Sequence, residues 1–152
     1  MLALLFRIGT ERYAIRARGV LAVLPDVVLR AAPGTPRGVA GILAYGEQLV
    51  PVLDLAQMLA AEPAPARLST RIVVAHYEPG PGGALIGLRV EQAGDAADIP
   101  ESAMVDPLLH ARDAPWLGAL ARHQGELLQI VEIGQLLGTE LRAALYPAAG
   151  SP

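Results

Sequence analysis

Apolar residues in this chain fall into short runs broken by glycine, proline and charged residues, the spacing of strands joined by turns. The central pair of runs is Val39 to Leu43 and Leu49 to Leu53, either side of a polar tip, Tyr45-Gly46-Glu47-Gln48. Glycine reaches the torsions of a sharp reversal without steric penalty, so the stretch is expected to be a hairpin. Pro51 has no N–H for a ladder, which puts the returning arm at a sheet edge or a bulge. Asp54 follows, its carboxylate set to accept from the free N–H groups of a helix over Leu55 to Ala60.

The rest of the chain repeats the theme. Leu2 to Ile8 and Arg12 to Ala17 read as strands joined by Gly9-Thr10-Glu11. Gly19 to Leu24 is ended by the turn residues Pro25-Asp26, and Val27 to Arg30 is a further short strand. Ala31 to Gly38 is a connector; Ala61 to Leu68, with Pro63 and Pro65, is a linker. Arg71 to Tyr77 and Ala84 to Val90 are strands split by Glu78-Pro79-Gly80-Pro81-Gly82-Gly83, a loop whose tip is expected to be mobile. Gln92 to Ile99 reads as another strand and Pro100 to Pro115 as irregular chain. Trp116 to Arg122 and Glu126 to Val131 make a second hairpin around His123-Gln124-Gly125. Glu132 is expected to open a helix that Gly138 stops, and Thr139 to cap a last one, Glu140 to Tyr146.

The chain also repeats itself. Leu49 to Leu59 aligns without a gap on Leu127 to Leu137: apolar on apolar, Asp54 on Glu132, Gln57 on Gln135. Each copy ends a hairpin, and each half also holds a strand pair, Leu2 to Ala17 in one and Arg71 to Val90 in the other. The expected architecture is mainly β, two small barrels of short antiparallel strands whose closure removes exposed edges, with short capping helices. Lobe one is expected over roughly residues 15–80. Lobe two is expected over 84–137 plus the N-terminal strand or strands, with a C-terminal helix and tail over 139–152.

Composition narrows the function. The 152 residues suit one domain or two lobes sharing a core. Apolar content of 53% with a mean hydropathy of +0.39 demands burial, some of it against other proteins. A net charge of −3 and 4% aromatic residues disfavour nucleic-acid binding. There is no cysteine for disulfide or thiolate chemistry, and no lysine for a Schiff base or a phosphate loop. Arg7 interrupts the apolar start of the chain, and no other run reaches spanning length, so a cytosolic protein is expected.

Candidate chemistry is sparse. His76, His110 and His123 lack the neighbouring ligands of a zinc site; His76 reads as a strand residue, the others as solvated loop residues. Ser69, Ser102 and Ser151 sit in polar loops without a nucleophile elbow. Gly80-Pro81-Gly82-Gly83 lacks the helix and lysine of a phosphate cradle. Asp54 and Glu132 read as helix caps, Asp95 and Asp98 as solvated. No catalytic constellation, cofactor site or metal site is expected. What stands out is the apolar run Val20, Leu21, Val23, Leu24: with Val20, Ala22 and Leu24 on one face, Leu21 and Val23 take the other, and both need covering. Either the strand is wedged between the lobes or one face meets a partner.

The run Val39-Ala40-Gly41 through Val50-Pro51-Val52-Leu53-Asp54-Leu55 resembles the signature of the CheW family, adaptor domains of bacterial chemosensory arrays. The likeness extends to Phe6-Arg7-Ile8-Gly9 with Glu11 to Ile15, to Thr35-Pro36, and to Gly125 to Ile133 with Leu136-Leu137. It implies two intertwined five-stranded SH3-like barrels and a cytoplasmic, non-enzymatic adaptor at membrane-associated receptor arrays. Its implied partners are a chemoreceptor's cytoplasmic tip and a histidine kinase's regulatory domain. The family strand corresponding to Val20–Leu24 borders the partner groove and usually carries charge at the positions of Ala22 and Leu24. The family hairpin tip typically reads Asn-Leu-Arg-Gly, where this chain has Ala44-Tyr45-Gly46-Glu47, so an arginine that forks onto carboxylates is lost and a negative charge appears. That departure points to a specialised pathway with its own receptor and kinase. The expected partner-binding residues are Val20, Ala22 and Leu24, then Tyr45, Gly46 and Glu47, with Val90 and Ala93 in the second lobe. Two other readings stay open: a stand-alone SH3-like peptide-binding module and a small-ligand-binding β-barrel.

Overall fold

The computed structural model describes residues 1–60, 62–107 and 114–147. His110 and Ser151 lie outside these, as do the centre of the irregular 100–115 stretch and the end of the 139–152 segment.

Glycine turns set the strand ends. β1 (Leu2–Ile8) and β2 (Glu11–Arg16) meet at Gly9-Thr10, and β4 (Val39–Tyr45) and β5 (Gln48–Asp54) at Gly46-Glu47, with Gly9 and Gly46 at φ of 62° and 60°. Between these hairpins runs β3 (Val20–Pro25). Helix α1 (Leu55–Ala60) follows β5, then β6 (Thr70–His76) and the long β7 (Leu85–Asp98). A 3-10 turn (Glu101–Ala103), β8 (Met104–Val105), and the hairpin β9 (Leu117–His123) and β10 (Glu126–Val131) come next. A second 3-10 turn (Ile133–Gln135) and helix α2 (Thr139–Leu145) end the described chain.

The strands run in the order β3-β6-β7-β1-β2-β10-β9-β8, with β5 also on β7 and β4 on β5. They form two sets. In the first, hairpin β4–β5 lies beside hairpin β6–β7 through a parallel β5–β7 pairing, and β3 flanks β6. In the second, hairpin β9–β10 lies beside hairpin β1–β2 through a parallel β10–β2 pairing, and the far half of β7 flanks β1. The twofold likeness read from the repeat is thus present in the pairing. Most strands pair antiparallel, as expected, and two pairings among the described strands, β5–β7 and β10–β2, are parallel where antiparallel strands were expected: each set joins its two hairpins by their returning arms, and these run the same way.

Strand β7 belongs to both sets. Leu85 to Glu91 pairs with β6, while Glu91 and Asp95 to Asp98 pair with β1, and Gln92, next to the shared Glu91, adopts φ 53°. The first set therefore runs past residue 84.

Alternation on these strands feeds three apolar clusters, which is why several runs are apolar on both faces. Val50, Val52, Ile72 and Val74 fill the interior of the first set. Leu5, Ala14, Leu128 and Ile130 fill the second. Phe6, Ile15, Leu53, Leu55, Val73, Leu88 and Trp116 pack between them.

Three local expectations change. Val27 to Arg30 is not a strand; Arg30 alone bridges β4, at Ile42. Glu132 opens only a 3-10 turn, with no side-chain cap bond, because the repeat's Ala56 is matched by Gly134 and Gly138 follows closely, both costly in a helix. Thr139 is the first residue of α2, not its cap; Gly138 holds that place without a side-chain bond.

Candidate functional site

Asp54, 1% exposed, is the junction of the first set. Its Oδ1 accepts from the Gln57 N–H at 3.1 Å, which caps α1 as expected. The same carboxylate accepts from the Ala64 N–H at 3.1 and 3.0 Å, pinning the proline linker back onto the sheet. Arg89, on β7, donates from Nη1 to Asp54 Oδ2 at 2.9 Å and to the Ala64 carbonyl. Its Nε and Nη2 reach Asp26 Oδ1 and Oδ2, both at 2.9 Å, a two-pronged pair. These bonds to Asp26, and secondarily to Asp54, raise the Arg89 pKa against the opposing effect of burial.

Asp26 directly follows β3, so the network anchors the strand singled out as a docking element. β3 pairs with β6 alone among the described strands, with a register shift between Val20 and Ala22. Val20, half-buried, packs on the central cluster, and Ala22 and Leu24, half-buried, pack on the first interior. The outward side chains are Leu21 and Val23, 45% and 37% exposed, continued by Val27 at 41% and Val28 at 100%. Alternation separated the two faces; the expected contact residues lie on the inward one.

At the hairpin tip Gly46 and Glu47 are exposed, Tyr45 is half-buried against the first interior, and Leu49 stands 75% exposed beside them. Val90 is 1% exposed within the central cluster and Ala93 packs half-buried against it, so these two serve the core and offer little surface.

A cleft of about 910 Å³ opens where the two sets meet, lined by Arg16, His76, Tyr77, Glu132 and the loop Pro79 to Gly83. Glu132, which caps nothing, sits 3.6 Å from Arg16 there. His76 is exposed at the end of β6, its N–H donating to the Gly19 carbonyl at 2.9 Å. Among the described residues no three His, Cys, Asp or Glu side chains gather as metal ligands. Among them too, no helix is long and apolar enough to cross a membrane. Asp26 and Arg89 escaped the sequence reading because their pairing, 63 residues apart, leaves no local signal.

Comparison with known proteins gives the site its context. The family model described as CheW-like domain matches residues 2–141. A search of curated proteins finds no match. Among solved structures, the chain is similar to the scaffolding protein TtCheW from Thermoanaerobacter tengcongensis, with a TM-score of 0.79 at 20% identity, over 92% of this chain and 94% of that one.

Proposed function

The chain belongs to the CheW-like domain family, and on that premise we propose that it is a non-enzymatic adaptor holding a chemoreceptor's cytoplasmic tip against the regulatory domain of a histidine kinase. The observation that carries the reading is the exposed apolar strip of Leu21 and Val23 on β3, continued by Val27 and Val28 beyond it; among the described strands β3 pairs with β6 alone. Exposed apolar side chains in a row favour contact with another protein over contact with water. A second contact region is the tip, where Glu47 and Leu49 stand clear of the fold. Two such surfaces let receptor state bias kinase state by contact. Each interface can be small, since linked contacts in an array multiply the effect of weak ones. The protein would then work in the cytoplasm, reaching the membrane only through its partners.

The negative tip fits a partner that offers arginine or lysine at the facing position, and so a pathway with its own receptor and kinase. The test is binding of the purified protein to the kinase regulatory domain and to the receptor signalling fragment of its own pathway. Leu21→Asp with Val23→Asp is expected to abolish one of these interactions, and Gly46→Arg with Glu47→Gly to weaken one. Wild-type protein that binds neither partner refutes the adaptor role; unchanged affinity in the tip variant removes the tip from it.

A further inference from the structure

The loop Pro79 to Gly83 has hollow space on both flanks. On one side it lines the cleft of about 910 Å³ between the sets. On the other, Pro79, Gly80 and Pro81 line a second hollow of about 470 Å³ with Arg142, Ala143 and Tyr146 of the C-terminal segment. The loop's own bonds lie near its foot. The Gly80 N–H donates to the Tyr77 carbonyl at 3.2 Å, the Ala84 N–H to the Pro81 carbonyl at 2.9 Å, and the Tyr77 N–H to the Ala84 carbonyl at 2.9 Å. Such a wall, open on each side, takes its position from whatever grips its two stems.

Helix α2 grips both. Before the loop, Arg142 donates from Nε to the Tyr77 hydroxyl at 3.1 Å, and the Tyr146 ring stacks on Tyr77 with centroids 5.2 Å apart. After the loop, the Tyr146 hydroxyl donates to the Leu85 carbonyl at 2.6 Å. Both stems belong to the first set, whereas α2 follows β10 and the second 3-10 turn, at the end of the second. The helix itself is weakly built. Seven residues are too few to stay helical in water without packing, none of the seven is fully buried, and Gly138 offers no side-chain cap. Its apolar hold is Leu141, Leu145 and Tyr146, half-buried against the central cluster. An element fastened by so few groups opens at a lower free energy than the sheet beside it.

We propose that α2 is a strap: closed, it fixes the Pro79–Pro81 wall of the cleft, and its release by local unfolding lets that wall move while both sets stay folded. The cleft then has two states, governed by a helix that lends no strand to either set. This device is independent of the adaptor reading, because it acts on the cleft and not on what β3 meets.

Three variants test it on the full chain. Arg142→Ala removes the bond to Tyr77 and keeps a strong helix former in place. Tyr146→Ala removes the ring stack and the bond to Leu85. Gly138→Ser supplies the missing cap, at an extended backbone position with nothing within 4 Å of its Cβ. In amide hydrogen exchange followed by NMR, residues 142 and 146 should be less protected than β1 and β6. Arg142→Ala should speed exchange at 142, 146, Gly80 and Ala84 together, by roughly fivefold. Tyr146→Ala should speed it further, and Gly138→Ser should slow all four by about twofold. β1 and β6 should be unchanged in Arg142→Ala and Gly138→Ser. The chain has no cysteine, so spin labels on Arg18→Cys and Gly82→Cys report the cleft directly, and their distance distribution should broaden when Tyr146→Ala is added. Unchanged exchange at Gly80 and Ala84 while α2 loosens would overturn the proposal, as would an equally narrow distance distribution. So would α2 amides as protected as β1 and β6, or faster exchange spreading into those strands in Arg142→Ala, since the helix would then open only with the core.

Discussion

Gly41 lies within the stretch that carries the family signature, and the structure turns its presence into a measurable claim. It has a φ of 152°, and a Cβ built there would stand 2.7 Å from the Arg30 carbonyl oxygen and 2.8 Å from Leu29 Cβ. Both are closer than any side chain tolerates, and the first is backbone that cannot rotate away. Gly41→Ala must therefore push Arg30 off β4 and break its two bonds with Ile42. Strain at a backbone position disfavoured for alanine costs of order 1–3 kcal/mol. Two lost hydrogen bonds add about 0.5–1.5 kcal/mol each. The sum, about 2–6 kcal/mol, is a large part of the roughly 5–15 kcal/mol that holds a domain together. The control is Gly46→Ala, at φ 60° with nothing within 4 Å of its Cβ, where only the torsional penalty of about 1–2 kcal/mol applies. Urea unfolding followed by circular dichroism should give a clearly lower midpoint for Gly41→Ala than for Gly46→Ala. Arg30 and Ile42 should also lose their amide protection in the first variant only. Equal midpoints with intact protection would show that the span from Asp26 to Arg30 is not held as described.

Two further predictions probe the shared core and the C-terminal helix. Phe6 is 1% exposed in the central cluster and stacks on Tyr13 at 6.1 Å, so Phe6→Ala should cost about 3–5 kcal/mol. It should lower one cooperative melting transition by calorimetry; two separated transitions in the variant would mean that the central cluster does not couple the two sets. Tyr146 stacks on Tyr77 at 5.2 Å and donates to the Leu85 carbonyl at 2.6 Å, and burial first, then Tyr77, pushes its pKa well above the ordinary 10.0. Because the folded state holds the phenol neutral, its contribution is complete below pH 10.0 and is lost as pH rises beyond it, when the unfolded chain ionises first. Tyr146→Phe should remove part of that alkaline loss of stability in denaturant titrations from pH 8 to pH 12; an unchanged pH slope would show that the hydroxyl is not buried as described.

How far the fold could be read from the sequence followed the range of the interactions that set it. The two hairpins at Gly9-Thr10 and Gly46-Glu47 were legible because turn chemistry is local. So was Asp54 as a cap, whose partner Gln57 is three residues away. The repeat was legible as pattern and reappears as matched pairings, yet it misled at Glu132, where Gly134 replaces a helix former and the carboxylate turns to Arg16 instead. Strand β3 shows the limit most plainly. Alternation divides Val20 to Leu24 into two faces, but the outward one depends on what β6 packs against, and a register shift at the start of the strand intervenes. The grip of Arg89 on Asp26 had no signal at all, because an isolated arginine and an isolated aspartate look like solvated charge until the fold brings them together.

The high apolar content takes on a different meaning once the clusters are known. Strands β5, β6 and β7 each bury side chains on both faces, one towards an interior and the other towards the central cluster. Three cores in so short a chain need more apolar residues than one, so the excess does not by itself indicate a docking surface. The informative quantity is what the cores leave outside. Among the described residues nine large apolar side chains are exposed. Leu21, Val23, Val27, Val28, Leu49 and Leu68 are on the first set and its connections, against Leu2, Val105 and Leu127 on the second. Had the excess been spread evenly, it would have read as the ordinary apolar surface of any soluble domain. Its concentration on β3, the span beyond it and the β4–β5 tip is what the proposed docking role rests on, and Arg89 holds the end of β3 through Asp26.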